Sequence, residues 1–239
     1  MLAVFPIIFP VLGSIAFLSF FAPRLGASSV LFGVPFHAGN VRNPAVKSFF
    51  LFVPIYLVRL AVFRFSDFEY SLQSLYLRYL FIEYLGPFVL LGGLAFFMNR
   101  AVRRESPVEQ YIGYLTFFTV HVVLFFVAEA FLHDGYWTVY ELFLRPVAMV
   151  VLLALYPIAI TRADTATGGG WAVLYLVVAP FACAVPAMLA EWLRPGTAIL
   201  SAAGCVTLAA GAIWLELFRG TGSVSAETSV ESAPGGASG

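Results

Sequence analysis

The chain has little charge, little cysteine and a single lysine. Only 11% of its 239 residues are charged, against about 25% in soluble domains. Basic and acidic residues balance at 13 each, so no nucleic-acid partner is expected. The two cysteines, Cys183 and Cys205, are too few for a disulfide framework. They are expected to pack as small side chains, and a disulfide between them is the alternative.

Motifs that mark common classes of enzyme are absent as well. The sequence contains no HExxH pair, no GxSxG elbow and no Walker A loop. The three histidines, His37, His121 and His133, share no metal-ligand spacing, so neither a metal nor a cofactor is expected. Lys47 precedes the second apolar segment, which excludes a retinal Schiff base in the seventh.

Apolar and aromatic residues are abundant instead. Hydrophobic residues make up 61% of the chain and aromatic residues 17%, and the mean hydropathy is +0.92. A soluble fold of this length could not bury so much apolar surface, whereas a bilayer can, and a spanning helix needs about 20 such residues. The sequence therefore predicts an all-α, polytopic membrane helical bundle of about seven transmembrane helices over residues 1–219. The predicted spans lie near 3–22, 48–65, 75–98, 111–132, 142–161, 171–190 and 197–218.

The charges outside the spans alternate between the two sides of the membrane. Basic residues concentrate in the first and third connections, at Arg24, Arg42, Lys47, Arg100, Arg103 and Arg104. The intervening connections carry acids, at Asp67, Glu69 and Asp134. Because short cytoplasmic loops are enriched in basic residues, the N-terminus is predicted outside and the C-terminus in the cytoplasm. Residues 220–239 are small and polar and are predicted to form a disordered cytoplasmic tail.

Ionisable residues within the spans are the candidate site, because a charge at membrane depth is costly and normally faces a partner or a water-filled cavity. They are Arg59, Arg78, Glu83, His121, Glu129, Glu141 and Arg145. His121 and Glu129 are eight residues apart, which places them about 80° apart around one helix and roughly 12 Å apart along it. They cannot bond directly but can face one cavity. Such a pair suits proton movement or acid–base chemistry.

Pairing between helices is the competing interpretation for these residues. It would join Glu129 or Glu83 to Arg59, Arg78 or Arg145, and His121 to a backbone carbonyl. Arg78 and Glu83 are five residues apart and face different directions, so each is expected to pair with another helix. Glu141 and Arg145 have the i,i+4 spacing of a local ion pair.

The last predicted span carries a small residue at every fourth position. These residues are Ala203, Thr207 and Gly211, and their spacing lets helix backbones approach closely. The face is expected to pack inside the bundle. Contact with a partner protein is the alternative.

The first connection carries a recognisable motif. Phe32-Gly33-Val34 is followed by Pro35 and then by Asn43-Pro44-Ala45-Val46-Lys47. This loop is similar to one in poorly characterised bacterial multi-pass membrane proteins, some related to SdpI-type immunity and signalling proteins. Their pattern has a basic residue where this chain has Pro35, an acid where it has Asn43, and an arginine-rich run that is missing here. The resemblance implies a bacterial cytoplasmic (inner) membrane and a signalling or immunity role, with no catalytic residues.

The same residues predict where the second helix begins. Asn43 suits the N-cap and Pro44 the first helical position. On this basis the loop ends at Asn43, and the helix that follows leads into the second span.

Two functions fit these observations. The first is a non-enzymatic transport, sensing or immunity component whose intramembrane ions hold the bundle together or line a small polar cavity. The second is an integral membrane enzyme acting on a lipid or isoprenoid-phosphate substrate, with Glu129 and His121 as acid and base and arginines binding the phosphate. Arg59, Arg78 and Arg145 discriminate between them. Convergence on an open, lipid-accessible cavity would favour the enzyme, and neutralisation by buried carboxylates would favour the component. Membrane lipid is the expected surrounding in both.

Overall fold

The fold is all-helical throughout the part of the chain that the computed structural model describes. That part is residues 4–21, 38–65, 71–99, 107–132, 138, 140–163 and 169–192, with parts of 199–211. The helices are α1 (Phe5–Phe21), α2 (Ala38–Phe65), α3 (Leu72–Arg78), α4 (Gly86–Asn99), α5 (Pro107–Leu132), α6 (Arg145–Ala163) and α7 (Gly169–Trp192). Two segments are π-helical: Tyr79–Leu85 joins α3 to α4, and Tyr140–Leu144 leads into α6. The predicted all-α class is confirmed.

Four helical stretches are long and apolar enough to cross a membrane. They are Val41–Phe65, Leu72–Ala95, Val108–Leu132 and Glu141–Thr161. They overlap the second, third, fourth and fifth predicted spans, and they indicate a membrane protein. Phe5–Phe21 and Ala179–Leu189 are shorter apolar helices.

The second helix begins earlier than predicted. α2 starts at Ala38 and not at Pro44, so Asn43 and Pro44 lie inside the helix and not at its N-cap and first turn. Packing explains the difference for Pro44, because a Cβ added to Gly113 of α5 would lie 3.6 Å from the Pro44 ring. The proline therefore faces a neighbouring helix. Three other predicted features, Phe32-Gly33-Val34, Cys205 and the tail 220–239, lie outside the described residues.

The helices pack around α5 and α6. α2 lies along α5, α6 packs against α7, and α1 contacts both α5 and α6. At the centre, the rings of Phe88 and Phe118 stack with centroids 5.8 Å apart, and Tyr156 meets both of them edge-on. These side chains are almost completely buried. Such aromatic contacts add about 0.5–1.5 kcal/mol each beyond the burial of their area.

Both π-helical segments end two residues before a proline, Pro87 in one case and Pro146 in the other. Proline has no N–H, so the carbonyl four residues earlier, that of Glu83 for Pro87, loses its α-helical partner. The N–H of Gly86 bonds to the carbonyl of Phe81, five residues earlier, where an α-helix would use that of Ile82, and a Cβ at Gly86 would collide with the Phe81 oxygen. These wider turns redirect the side chains on and beside them. The first contains Glu83 and the second ends next to Arg145, both residues of the candidate site.

Candidate functional site

Four of the predicted ionisable residues meet in one cluster, which we call the charge quartet: Arg59 on α2, Glu83 on the first π-helical segment, Glu129 on α5 and Arg145 on α6. The terminal nitrogens of Arg59 donate to Glu83 at 2.6 Å and to Glu129 at 3.0 Å. Those of Arg145 donate to Glu129 at 3.2 Å and also to Glu83. Each carboxylate gives one oxygen to each guanidinium. The four side chains therefore form a closed ring with no net formal charge.

The charge quartet is largely hidden from its surroundings. Its side chains are 7% exposed for Arg145, 9% for Glu83, 10% for Arg59 and 21% for Glu129. Ions removed from water lose several kcal/mol of solvation each, and only close, hydrogen-bonded pairing offsets that loss. The double pairing of every member meets this condition.

Two aromatic residues complete the cluster, and sequence reasoning missed both. The Phe125 ring contacts both guanidiniums, with its centroid 4.7 Å from Cζ of Arg59 and 4.5 Å from Cζ of Arg145. The Tyr56 hydroxyl donates to Glu129 at 3.0 Å. Helical spacing places each ring on the same face as a quartet residue, because Tyr56 is one turn from Arg59 and Phe125 is one turn from Glu129.

Three of the four quartet residues lie near the ends of their helices. α2 continues from Arg59 to Phe65 and α5 from Glu129 to Leu132. At 1.5 Å per residue, Arg59 and Glu129 are about 5–9 Å from the ends of these helices. α6 begins at Arg145 itself. Glu83, by contrast, lies at the middle of the apolar stretch Leu72–Ala95.

His121 lies deeper in the bundle than Glu129, on the same helix. It is 5% exposed, its ring meets Phe52 edge-on at 5.3 Å, and its Nδ1 atom has no hydrogen-bond partner among the described residues. The predicted bond to a backbone carbonyl is therefore not made by Nδ1. A cavity of about 20 Å³ lies between His121 and the quartet, and its wall includes Glu83 but not Glu129.

Arg78 does not join the quartet. It pairs with Glu191 at the end of α7 at 3.7 Å, and its guanidinium lies 4.4 Å from the ring centroid of Phe63. The Tyr79 hydroxyl also donates to Glu191. The prediction that Arg78 and Glu83 would each pair with another helix is confirmed. Arg78 and Glu83 point in different directions, so Arg78 pairs with α7 whereas Glu83 pairs with α2 and α6.

Glu141 has a role different from the predicted local pair with Arg145. Its carboxylate accepts hydrogen bonds from the backbone and hydroxyl of Thr138, at 2.8 and 2.9 Å, and its own N–H donates to that hydroxyl at 3.3 Å. This reciprocal arrangement is a capping box. The ion pairs of Arg145 instead run to Glu83 and Glu129. The π-helical turn between the two residues explains the change, since it alters the rotation between positions i and i+4.

The small-residue face of the last predicted span is open. Ala203, Thr207 and Gly211 are exposed, and the Thr207 hydroxyl donates to the Ala203 carbonyl at 2.8 Å. A Cβ added at Gly211 would meet no atom within 4 Å among the described residues. Within the part of the chain that the structure describes, the expected packing of this face inside the bundle is not found.

Cys183 is buried among α6 and α7, as a small packing residue would be. Its sulfur lies 3.8 Å from the carbonyl oxygen of Ala148. Within the described ranges, no group of three or more histidine, cysteine, aspartate or glutamate residues could hold a metal ion. Comparison with protein-family models, with curated proteins and with solved structures finds no match to this chain.

Proposed function

We propose that this chain is a non-enzymatic component of a bacterial inner membrane that acts in transport, sensing or immunity. In this proposal it has about seven spans, with the N-terminus outside and the C-terminus in the cytoplasm. The observation that carries the proposal is the closure of the charge quartet, in which two carboxylates neutralise both guanidiniums across four helical segments. The resemblance of the first connection to SdpI-type proteins supports a signalling or immunity role.

The geometry gives less support to an enzyme acting on an isoprenoid phosphate. Arginines that bind a phosphate need free donors aimed into a pocket, but the terminal nitrogens of Arg59 and Arg145 already bind carboxylates. Arg78 lies apart, with Glu191. The cavity near the quartet measures about 20 Å³, whereas small-molecule pockets occupy roughly 300–1,000 Å³. The space suits a water molecule and not a lipid headgroup.

The surfaces of the bundle fit lipid and, at one end, a protein partner. α2 exposes a row of large apolar side chains, Phe49, Phe50, Val53 and Leu57, which lipid tails can cover at no cost. The open face at Ala203, Thr207 and Gly211 is suited to close contact with a helix of a partner protein. We propose lipid for the first surface and a partner for the second.

Substitution of Glu129 tests whether the quartet holds the bundle together. Glu129→Gln should lower the melting temperature and the folded yield in detergent, because it leaves two guanidiniums facing one carboxylate. The double variant Arg59→Gln/Glu129→Gln should recover part of the loss, because it restores a single balanced pair. Thermal unfolding in detergent micelles measures both effects.

Glu191→Gln is the matched control, because Glu191 forms its ion pair with Arg78 outside the quartet. It should change the melting temperature little, since exposed pairs contribute about 0–1 kcal/mol. If Glu129→Gln instead folds normally while the activity of the protein in cells is lost, the quartet is a working site. The interpretation that the quartet serves only to hold the bundle together would then be wrong.

A further inference from the structure

We infer that the cavity beneath the charge quartet is a hydration site, in which one water molecule links the imidazole of His121 to Arg59 and Glu83. The cavity of about 20 Å³ has all three residues in its wall. That is enough for one water, which needs roughly 10–15 Å³ of such space and two to four polar partners. The inference goes beyond the proposed function and does not depend on it.

Two buried atoms require the partner that a water supplies. Nδ1 of His121 and Nε of Arg59 are both shielded, and neither has a hydrogen-bond partner among the described residues. Buried polar atoms without a partner are rare, because each costs the free energy of its lost hydration. His121 is only 5% exposed, so bulk water cannot supply the missing hydrogen bond to Nδ1.

The donors and acceptors at the cavity are complementary. Nε–H of Arg59 can donate to the water oxygen, and the water can donate one hydrogen to Nδ1 of His121. Its second hydrogen can reach a carboxylate oxygen of Glu83, each of which has used only one contact with a guanidinium. The Val122 and Phe88 side chains form apolar parts of the wall. The water is then held by three partners at fixed positions.

Nuclear magnetic resonance of protein labelled with ¹³C and ¹⁵N only at histidine tests the hydration site. The chain has three histidines, so His121→Asn assigns the signals of the buried one. In nanodiscs, the Cε1 proton of His121, which is adjacent to Nδ1, should show a cross-peak to water. The ¹⁵N shift of Nδ1 should be that of an acceptor in a hydrogen bond.

Two variants of α5 form a matched pair for this experiment. Val122→Ile adds a methyl group to the wall of the cavity and should abolish the water cross-peak. Val123→Ile makes the same change at the next residue, which does not line the cavity, and should leave the cross-peak intact. Absence of the cross-peak in the wild-type protein would overturn the inference, even where Val122→Ile fails to fold. Retention of the full cross-peak in a folded Val122→Ile protein would also overturn it.

Discussion

α2 and α6 are nearly equal in hydropathy and opposite in environment. The most apolar window of the α2 span has a mean hydropathy of 1.9 and that of the α6 span 2.1, yet 17% of the first window and 83% of the second are buried within the protein. Each helix nevertheless supplies one arginine to the charge quartet. Hydropathy therefore identifies a helix that can span a membrane, but it does not tell whether protein or lipid surrounds that helix.

The difference lies in the side chains that each helix presents. α2 turns Phe49, Phe50 and Leu57 outward, and lipid tails solvate such residues as well as a protein core does. α6 carries Ala154 and Ala159, both fully buried, among larger aliphatic residues. Small residues let neighbouring helices approach on several sides. A helix at the centre of the bundle therefore needs small side chains where its neighbours approach, whereas a helix at the periphery tolerates large ones.

Removal of either quartet arginine is the strongest test of this comparison. Arg145→Leu should lower the free energy of unfolding by about 3–5 kcal/mol, because it leaves Glu83 and Glu129 with one guanidinium. Arg59→Leu should cost a similar amount although α2 is peripheral, because the quartet and not the helix surface determines the loss. Unfolding in mixed micelles with increasing fractions of sodium dodecyl sulfate measures both.

Arg78→Leu is the control for these two variants, since its pair with Glu191 is 3.7 Å long and more exposed. It should cost about 0–1 kcal/mol. If Arg59→Leu proves as mild as Arg78→Leu, the peripheral position of α2 outweighs the quartet. The two helices would then differ in energetics as well as in burial.

A larger side chain should destabilise the protein more when it is placed on α6 than when it is placed on α2, and the effect should be intermediate in size. Ala154→Leu places three extra carbon atoms in the centre of α6, where the residue is 1% exposed, and should cost about 1–3 kcal/mol. Val58→Leu on α2, which is 54% exposed, should change stability by less than about 0.5 kcal/mol. Melting temperatures in one detergent compare the pair. Equal losses would show that the outer face of α2 also packs against protein.

The quartet shows how far the sequence alone could lead. Helical periodicity and the cost of buried charge predicted that Glu83 and Glu129 pair with arginines of other helices. The choice of Arg59 and Arg145, with Arg78 excluded, depends on how the helices rotate and cross. That choice could not be read from one helix at a time. A signal was present in Gly86-Pro87 and in the proline after Arg145, since each proline widens a turn beside a quartet residue.

The N-termini of α2 and of the π-helical segment before α6 differ from the predictions for a related reason. Thr138 and Glu141 have the spacing of a capping box, but the arginine at i+4 from Glu141 predicts a local ion pair equally well. Asn43 and Pro44 have equally good N-terminal signals, but α2 begins upstream at Ala38. A local signal fixes a helix end only where no tertiary contact competes with it. Pro44 has such a contact, at Gly113 of α5.

The smallest expected effect tests this last contrast between α2 and α6. Thr138→Ala should destabilise the protein by about 0.5–2 kcal/mol, because it removes the cap at the start of the π-helical turn that leads to Arg145. Asn43→Ala should cost nothing measurable, because Asn43 is an exposed position inside α2 and alanine has the higher helix propensity. Thermal unfolding of the two variants decides the matter. A loss at Asn43 equal to that at Thr138 would mean that Asn43 caps the helix after all, and that residues 38–42 contribute little to its stability.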